Sequence, residues 1–218
     1  WTNGLSEGTS NAYDNYYLAH PYLKLIKSGE VGTKELDDKV RRILRLAFLT
    51  TMNKNKPFGN IASEEHRAIA KEIGEEGIVL LKNQKNVLPI NISKTKKIAV
   101  IGENAIKMMT VGGGSSSLKV KYETLPLDGI KARFGKNAEI VFARGYVGDV
   151  GGEYNGVKTG KDLTDNRSQA ELTKEAVELA KNSDFVIFVG GLNKSDFQDS
   201  EGNDRKDMGL PYHQDELI

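Results

Sequence analysis

The chain has 218 residues, of which 38% are hydrophobic and 28% are charged, and these proportions are ordinary for a globular protein of one or two domains. Its formal net charge of +1 provides no field that would attract nucleic acid or an anionic membrane surface. The lack of cysteine excludes disulfide bonds and thiolate chemistry. No apolar run approaches the ~20 residues that a membrane-spanning helix needs. We therefore expect neither nucleic acid nor a membrane among its partners.

Two amphipathic helices are predicted in the first part of the chain. The segment NYYLAHPYLKLIKSG, residues 15–29, carries apolar side chains at helical spacing and ends at Gly29. The segment TKELDDKVRRILRLAFLTTM, residues 33–52, has Thr33 at a capping position and a second apolar stripe. Two such helices gain little by packing only against each other. Their apolar faces predict a neighbouring domain, or self-association of the chain in isolation.

The polar segment NKNKPFGN, residues 53–60, contains one proline and one glycine and marks the predicted domain boundary. We expect residues 1–52 to be the last helices of one domain, residues 53–62 to be a linker, and residues 63–218 to be the first part of a second domain. The chain begins without methionine and ends within a predicted helical turn. It is therefore expected to be a piece of a longer protein.

The second domain is predicted to begin with a long helix. The segment SEEHRAIAKEIGEEGIVLLKN, residues 63–83, starts at Ser63, which can cap the helix. Its apolar content becomes continuous from Ile78 to Leu81. This run predicts that the last turns of the helix are buried.

Three apolar runs rich in β-branched residues alternate with two amphipathic helices from residue 96 onward. The runs are KKIAVIG (96–102), AEIVFARG (138–145) and DFVIFVGG (184–191), and the helices are LPLDGIKARFG (125–135) and SQAELTKEAVELAKNS (168–183). Strands that are apolar throughout and alternate with helices predict a mostly parallel sheet flanked by helices on both faces. The predicted fold class is therefore α/β, with a helical segment before the sheet.

Three long loops follow the predicted strands, at residues 103–122, 145–166 and 190–209. In open parallel sheets ligands bind beyond the carboxyl ends of the strands, so we expect the functional site at this edge. The first loop contains VGGGSSS, but neither a dinucleotide fingerprint nor a Walker sequence is complete. These failures count against a nucleotide-binding doubly wound domain. The residues alone leave a flexible surface loop as the alternative.

The third loop crowds Asp199, Glu201 and Asp204 beside Arg205. Neighbouring carboxylates raise the pKa of a carboxyl group, and a nearby arginine opposes this. Glycosidases use a tuned carboxyl pair, in which one group protonates the leaving oxygen and the other attacks or activates water. The spacing does not single out that chemistry, and a solvated charged loop is the alternative. The three histidines lie in separate segments without metal-ligand spacing, so no metal or cofactor is expected.

Several segments in series resemble glycoside hydrolase family 3, the family of β-glucosidases and β-xylosidases. They are HRAIAKEIGEEGIVLLKNQKNVLPI, KKIAVIGENA, VGGGSSS followed by TLPLDGIKARFG, DFVIFVGGLN, and SEGNDRKDMGLPYHQDELI. Their order and spacing are similar to the second, α/β sandwich domain of that family. The earlier segment SGEVGTKELDDKVRRILRLAF resembles the closing helices of its first, barrel-like domain. The resemblance covers nearly the whole chain.

The resemblance implies a retaining, exo-acting β-glycosidase that removes terminal β-D-glucosyl residues from a β-linked glucoside or related oligosaccharide. The family's acid/base glutamate often lies in a Glu-Gly-x-Asp-Arg run before Leu-Pro, and here that run begins at Glu201 and ends at Arg205. Glu201 is therefore the predicted acid/base residue. Asp199 and Asp204 are its rivals, because the position of this residue varies among branches of the family. The predicted substrate-contacting residues are Gly114, Ser115, Ser116 and Arg205.

One departure from the family pattern limits what this chain can do alone. The family's nucleophile is an aspartate in a Ser-Asp-Trp sequence of the barrel-like domain, and the chain contains no Ser-Asp-Trp. A retaining mechanism needs two carboxyl groups about 5 Å apart. We therefore expect the chain to be inactive without the barrel-like domain as its partner. The alternative is a non-catalytic carbohydrate-binding or interaction module. The sequence leaves the compartment open, and the resemblance implies a periplasmic or secreted protein.

Overall fold

The structure is a computed structural model that divides into two compact units, Trp1–Ala68 and Ile69–Ile218. The predicted linker at residues 53–62 lies within the first unit, and the predicted domain boundaries stay a prediction. The residues that the structure describes are 19–110, 118, 120–148, 153–154, 157–158, 162–195, 198–200 and 203–218.

The first unit contains helices α1 (His20–Ser28) and α2 (Lys34–Leu49). Helix α1 has proline in its first turn and ends at Gly29, whose φ of 79° is the left-handed conformation that closes many helices. Thr33 occupies the N-cap position of α2, but its side chain makes no capping hydrogen bond. No residue of either helix is buried. Both predicted helices are present, and their apolar stripes lie mostly exposed. Helix α1 begins at His20, and residues 15–18 of the predicted segment lie outside the described residues.

Helix α3 (Glu64–Glu76) begins where it was predicted and ends earlier. The Ser63 hydroxyl oxygen accepts a hydrogen bond from the His66 backbone N–H at 3.3 Å, as a cap does. The predicted continuation through Leu81 with buried last turns is wrong. The helix stops at Gly77, a residue type that disfavours helix by about 1 kcal/mol relative to alanine. The run from Ile78 to Leu81 is then non-helical and 62–91% exposed.

A three-stranded parallel sheet forms the centre of the second unit. Its order is β2 (Glu139–Ala143), β1 (Lys97–Ile101), β5 (Phe185–Phe188), so the first strand lies in the middle. The central strand aligns its Val100 with Phe142 on one side and with Ile187 on the other. The predicted parallel α/β sheet is confirmed, and all three carboxyl ends point to one edge.

The two faces of β1 are covered by different helices. Ile98 and Val100 pack with α4 (Pro126–Phe134), while Ala99 and Ile101 pack with α5 (Gln169–Lys181). These four side chains are at most 5% exposed. Alternating side chains of one strand thus enter two separate apolar clusters, which is why the strand is apolar at every position from Ile98 to Ile101.

Two small elements lie in the loops that follow β2 and β5. Strands β3 (Glu153–Tyr154) and β4 (Val157–Lys158) form an antiparallel pair within the predicted loop 145–166. The short helix α6 (Gln214–Leu217) follows the loop 190–209 and buries Gln214. Because these two loops follow the carboxyl ends of β2 and β5, both begin at the carboxyl edge of the sheet.

Candidate functional site

The carboxyl edge of the sheet gathers buried polar side chains from all three loops. Glu103 follows β1 by two residues and is fully buried. Its Oε2 accepts hydrogen bonds from Arg144 Nη2 at 2.8 Å, from Arg144 Nε at 3.2 Å and from the Gly148 backbone N–H at 2.7 Å. Its Oε1 lies 3.6 Å from Lys107 Nζ. A buried carboxylate is tolerated when charge and hydrogen bonds compensate it. Here Oε2 has three hydrogen bonds, while Oε1 has the Lys107 charge beside it but no hydrogen bond from a described residue.

An ion-pair chain extends from this buried pair toward the surface. Arg144 Nη1 lies 3.5 Å from Asp165 Oδ2, which lies 2.7 Å from Arg167 Nη2, and Arg167 also pairs with Glu175. Hydrogen bonds from the Arg167 side chain and backbone hold the pKa of Asp165 well below its usual range. The carboxylates of these ion pairs thus neutralise two guanidinium groups, that of Arg144 directly after β2 and that of Arg167 just before α5.

Tyr146 lies at the centre of the edge and is fully buried. Its hydroxyl oxygen accepts from the Asn104 backbone N–H at 3.3 Å, and its O–H donates to the Val189 carbonyl at 3.4 Å. Its ring stacks on Tyr212, with centroids 6.3 Å apart and planes 6° from parallel. Burial raises the pKa of Tyr146 to about 12, so its phenol is neutral at physiological pH.

Three side-chain amides hold the segment that leaves β5. Gln214 accepts from the Gly191 N–H at 2.7 Å and donates to the Gly191 carbonyl at 3.0 Å. Asn104 donates to the carbonyls of Gly191 and Leu192. Asn193 is 2% exposed, and its Oδ1 accepts from the Ser195 N–H at 2.8 Å. The start of the loop is therefore fixed on both sides before its charged part begins.

The sequence-predicted site residues are only partly within the described part of the chain. Glu201, Gly114, Ser115 and Ser116 lie outside the described residues. The rivals Asp199 and Asp204 are both exposed, and the Asp199 carboxylate pairs with Lys194. Arg205 is exposed and donates from Nη2 to the Gly209 carbonyl at 3.1 Å. The structure therefore leaves the assignment among the three acids a prediction.

Sequence reasoning missed the buried polar residues beneath these loops. Glu103 and Arg144 carry opposite charges directly after two neighbouring parallel strands, and the register pairs Ile101 with Ala143. That placement was a usable signal, because carboxyl ends of adjacent parallel strands meet at one edge. No comparable signal marked Asn193 or Tyr146, whose roles depend on how loops fold over one another.

The described ranges contain neither a candidate metal site nor a candidate membrane span. Within them, no group of three or more histidine, cysteine, aspartate or glutamate side chains could hold a metal ion. No helix among the same residues is long and apolar enough to cross a bilayer.

The three-stranded parallel sheet and its flanking helices define an α/β domain, with buried polar residues at the carboxyl edge of the sheet. A family model described as "Glycosyl hydrolase family 3 C-terminal domain" matches residues 78–218. The chain belongs to glycoside hydrolase family 3, and the family resemblance is confirmed.

Individual relatives agree with this membership. The chain is 47% identical to "Beta-glucosidase BoGH3A" of Bacteroides ovatus, over all of the chain and 29% of that protein. It is 32% identical to "Periplasmic beta-glucosidase" of Salmonella typhimurium, over 94% of the chain and 28% of that protein. A Bifidobacterium adolescentis GH3 β-glucosidase crystal structure matches 92% of the chain and 26% of its own, with a TM-score of 0.67 and 28% identity. The chain thus spans less than a third of these relatives.

Proposed function

We propose that the chain is the acid/base-bearing part of a retaining, exo-acting β-glycosidase that releases terminal β-D-glucosyl residues. The observation that carries the proposal is the whole-chain 47% identity to a protein named as a β-glucosidase. The fold supports it, since β5 delivers the loop 190–209 to the carboxyl edge where ligands bind in parallel sheets.

Glu201 is the proposed proton donor. As an acid it protonates the leaving glycosidic oxygen, and as the resulting carboxylate it then activates water. Asp199 is a weaker candidate, because its carboxylate already pairs with Lys194. Asp204 is the other rival. The proposed sugar-contacting residues are Arg205, Gly114, Ser115 and Ser116.

The nucleophile must come from outside this chain. Retaining enzymes place two carboxyl groups about 5 Å apart on opposite sides of the scissile bond, and the second forms a covalent glycosyl-enzyme intermediate. The chain has no Ser-Asp-Trp sequence in which the family carries that aspartate. We propose that the barrel-like domain of the longer protein supplies it, and that the chain alone is inactive. One relative is named as periplasmic, and a periplasmic or secreted location is proposed here too.

The leaving group of the substrate tests the role of Glu201. Proton donation matters most when the leaving group is a poor one. In the longer protein, Glu201→Ala is expected to lower kcat/KM for phenyl β-glucoside by about 100-fold to 10,000-fold. It should lower kcat/KM for 2,4-dinitrophenyl β-glucoside by less than about tenfold, because that leaving group departs without a proton. The matched controls are Asp199→Ala and Asp204→Ala. If one of these variants, and not Glu201→Ala, loses far more kcat/KM for phenyl β-glucoside than for 2,4-dinitrophenyl β-glucoside, that residue is the proton donor.

The lack of a Ser-Asp-Trp sequence also favours a second candidate, a non-catalytic carbohydrate-binding or interaction module. Calorimetry of the isolated chain with glucose and cellobiose separates the two. The glycosidase proposal expects weak or undetectable binding, because half of the sugar site lies outside the chain. Tight binding by the chain alone supports the module.

A further inference from the structure

Asn193 is a buried residue at the start of the charged loop, and it accepts two hydrogen bonds from backbone N–H groups of that loop. Its side-chain Oδ1 accepts the Ser195 N–H at 2.8 Å, and its backbone carbonyl accepts the Asp199 N–H at 3.0 Å. One residue therefore closes two nested turns, of three and seven residues. Asn193 itself is 2% exposed, so both acceptor atoms belong to a buried residue.

The side-chain amide of Asn193 lies beside Gly148 of the second loop. A Cβ atom added at Gly148 would lie 3.1 Å from Asn193 Nδ2, 2.8 Å from Glu103 Oε1 and 3.2 Å from Tyr212 Cε2. Only glycine leaves room for so close an approach. The Asn193 Nδ2 also lies 3.5 Å from the Tyr212 hydroxyl. Glu103 Oε1 and the Asn193 amide thus both lie close to Gly148.

We propose that Asn193 is a positioning residue for the proton donor: it fixes the Asp199 end of the loop against the buried Gly148–Glu103 junction. The inference rests on the proposed function, because it takes Glu201 as the donor. Glu201 follows Asp199 by two residues in the chain, and consecutive Cα atoms are about 3.8 Å apart. Fixing Asp199 therefore restricts where the donor can be carried.

The physical need for such an anchor follows from the chemistry. A general acid must lie within hydrogen-bonding distance of the oxygen that it protonates. A misplacement of about 1 Å can lower a rate by about 100-fold. Exposed side chains cannot supply this precision, since Asp199 and Lys194 pair at the surface. The buried amide can, because packing and hydrogen bonds both fix it.

Two substitutions that differ by one oxygen atom test the role. Asn193→Ala removes the acceptor for the Ser195 N–H, whereas Asn193→Ser retains one, because serine forms the same turn with the N–H two residues on. In the longer protein, Asn193→Ala should lower kcat/KM for phenyl β-glucoside by about tenfold or more, but that for 2,4-dinitrophenyl β-glucoside by less than about threefold. Asn193→Ser should recover most of the kcat/KM for phenyl β-glucoside that Asn193→Ala loses.

Gly148→Ala is the second variant and keeps Asn193 intact. Its new methyl group would lie 2.8 Å from Glu103 Oε1 and 3.1 Å from Asn193 Nδ2, so it displaces both groups, and the same selective loss for phenyl β-glucoside is expected. Leu172→Ala is the control for stability alone, because Leu172 is 1% exposed on α5 and belongs to no part of the loop. It should lower the melting temperature without changing the ratio of the two kcat/KM values.

Glu201→Ala, measured in parallel, separates the two proposals. If it is selective for the poor leaving group and the Asn193 and Gly148 variants are not, the positioning role is overturned and the proposed function stands. If Glu201→Ala is not selective, both fall. If the Asn193 variants lower both kcat/KM values equally, or Asn193→Ser recovers nothing, Asn193 is only structural.

Discussion

Strand β1 and helix α2 are both rich in apolar residues, yet only the strand buries them. Ile98 and Val100 are 0% exposed, while Ile43 and Leu46 on the helix are 69% and 64% exposed. The difference is that the strand has helices on both faces, whereas no residue of α2 is buried. The spacing of apolar residues in the sequence therefore indicates which face of a helix or strand can be buried. Whether that face is buried depends on the presence of another surface that packs against it. The sheet thus has its own buried core, whereas most of the apolar stripe of α2 is exposed.

The largest expected loss of stability comes from breaking the buried charge pair under the sheet edge. Arg144→Met leaves the Glu103 carboxylate buried without its guanidinium partner, which is expected to lower the free energy of unfolding by about 3 to 5 kcal/mol. Urea unfolding followed by circular dichroism measures it. The matched control is Arg167→Met, in the exposed part of the same ion-pair chain. Equal effects from the two variants would show that burial of the pair is unimportant.

Matched truncations on two helices test the same contrast between buried and exposed apolar side chains. Leu172→Ala on α5 should lower the free energy of unfolding by about 2 to 5 kcal/mol, because it leaves a cavity under a side chain that is 1% exposed. Ile43→Ala on α2 should change it by less than about 0.5 kcal/mol, because the side chain is 69% exposed. The same urea titration gives both values. A large effect at Ile43 in the isolated chain would reveal a covering surface, such as self-association.

Helix caps give a smaller test of the same contrast. Ser168 and Glu171 form a complete capping box at the start of α5, while Thr33 at the start of α2 makes no side-chain cap. Ser168→Ala should lower the free energy of unfolding by about 1 kcal/mol, and Thr33→Ala should change it little. Thermal melts of the two variants measure the difference. If Thr33→Ala is more destabilising than Ser168→Ala, the prediction that the cap of α5 contributes more to stability than that of α2 is contradicted.

The smallest expected effect is a pH dependence at the amino end of the sheet. Asp184 accepts hydrogen bonds from the backbone N–H groups of Lys96 and Lys97, at 2.8 and 2.9 Å, and these lower its pKa. A carboxyl group whose pKa is lowered by folding stabilises the fold above its unfolded pKa of about 3.9, and this stabilisation is lost as the pH falls through the folded pKa.

Asp184→Asn should therefore be less stable than the wild type at pH 7, and the gap should shrink as the pH is lowered below about 4. Urea midpoints between pH 7 and pH 3 measure it. The exposed Asp38, paired with Arg42 on α2, provides the control substitution Asp38→Asn. A gap for Asp184→Asn that is constant with pH would contradict the hydrogen-bond explanation.

The sequence was sufficient for the sheet, because its strands and helices differ in period and end at clear glycine signals. Gly135 follows α4, and Gly102 follows β1 by one residue, close to where the pattern predicted. It was insufficient for the run from Ile78 to Leu81, because apolar continuity does not say whether a partner surface is present. It was also insufficient for Asn193 and Tyr146, because these residues are buried where loops that are distant in sequence meet in space. The donor at Glu201 stays a prediction, drawn from the family pattern.

The azide product of Glu201→Ala, made in the longer protein with 2,4-dinitrophenyl β-glucoside, tests the donor assignment most directly. Azide enters the space that the removed carboxylate leaves and attacks the covalent intermediate from that side. Removal of the proton donor therefore predicts faster turnover with azide and a β-glucosyl azide product, which nuclear magnetic resonance identifies by its anomeric coupling. An α-glucosyl azide would show that the nucleophile had been removed, and no azide product would show that residue 201 has neither role.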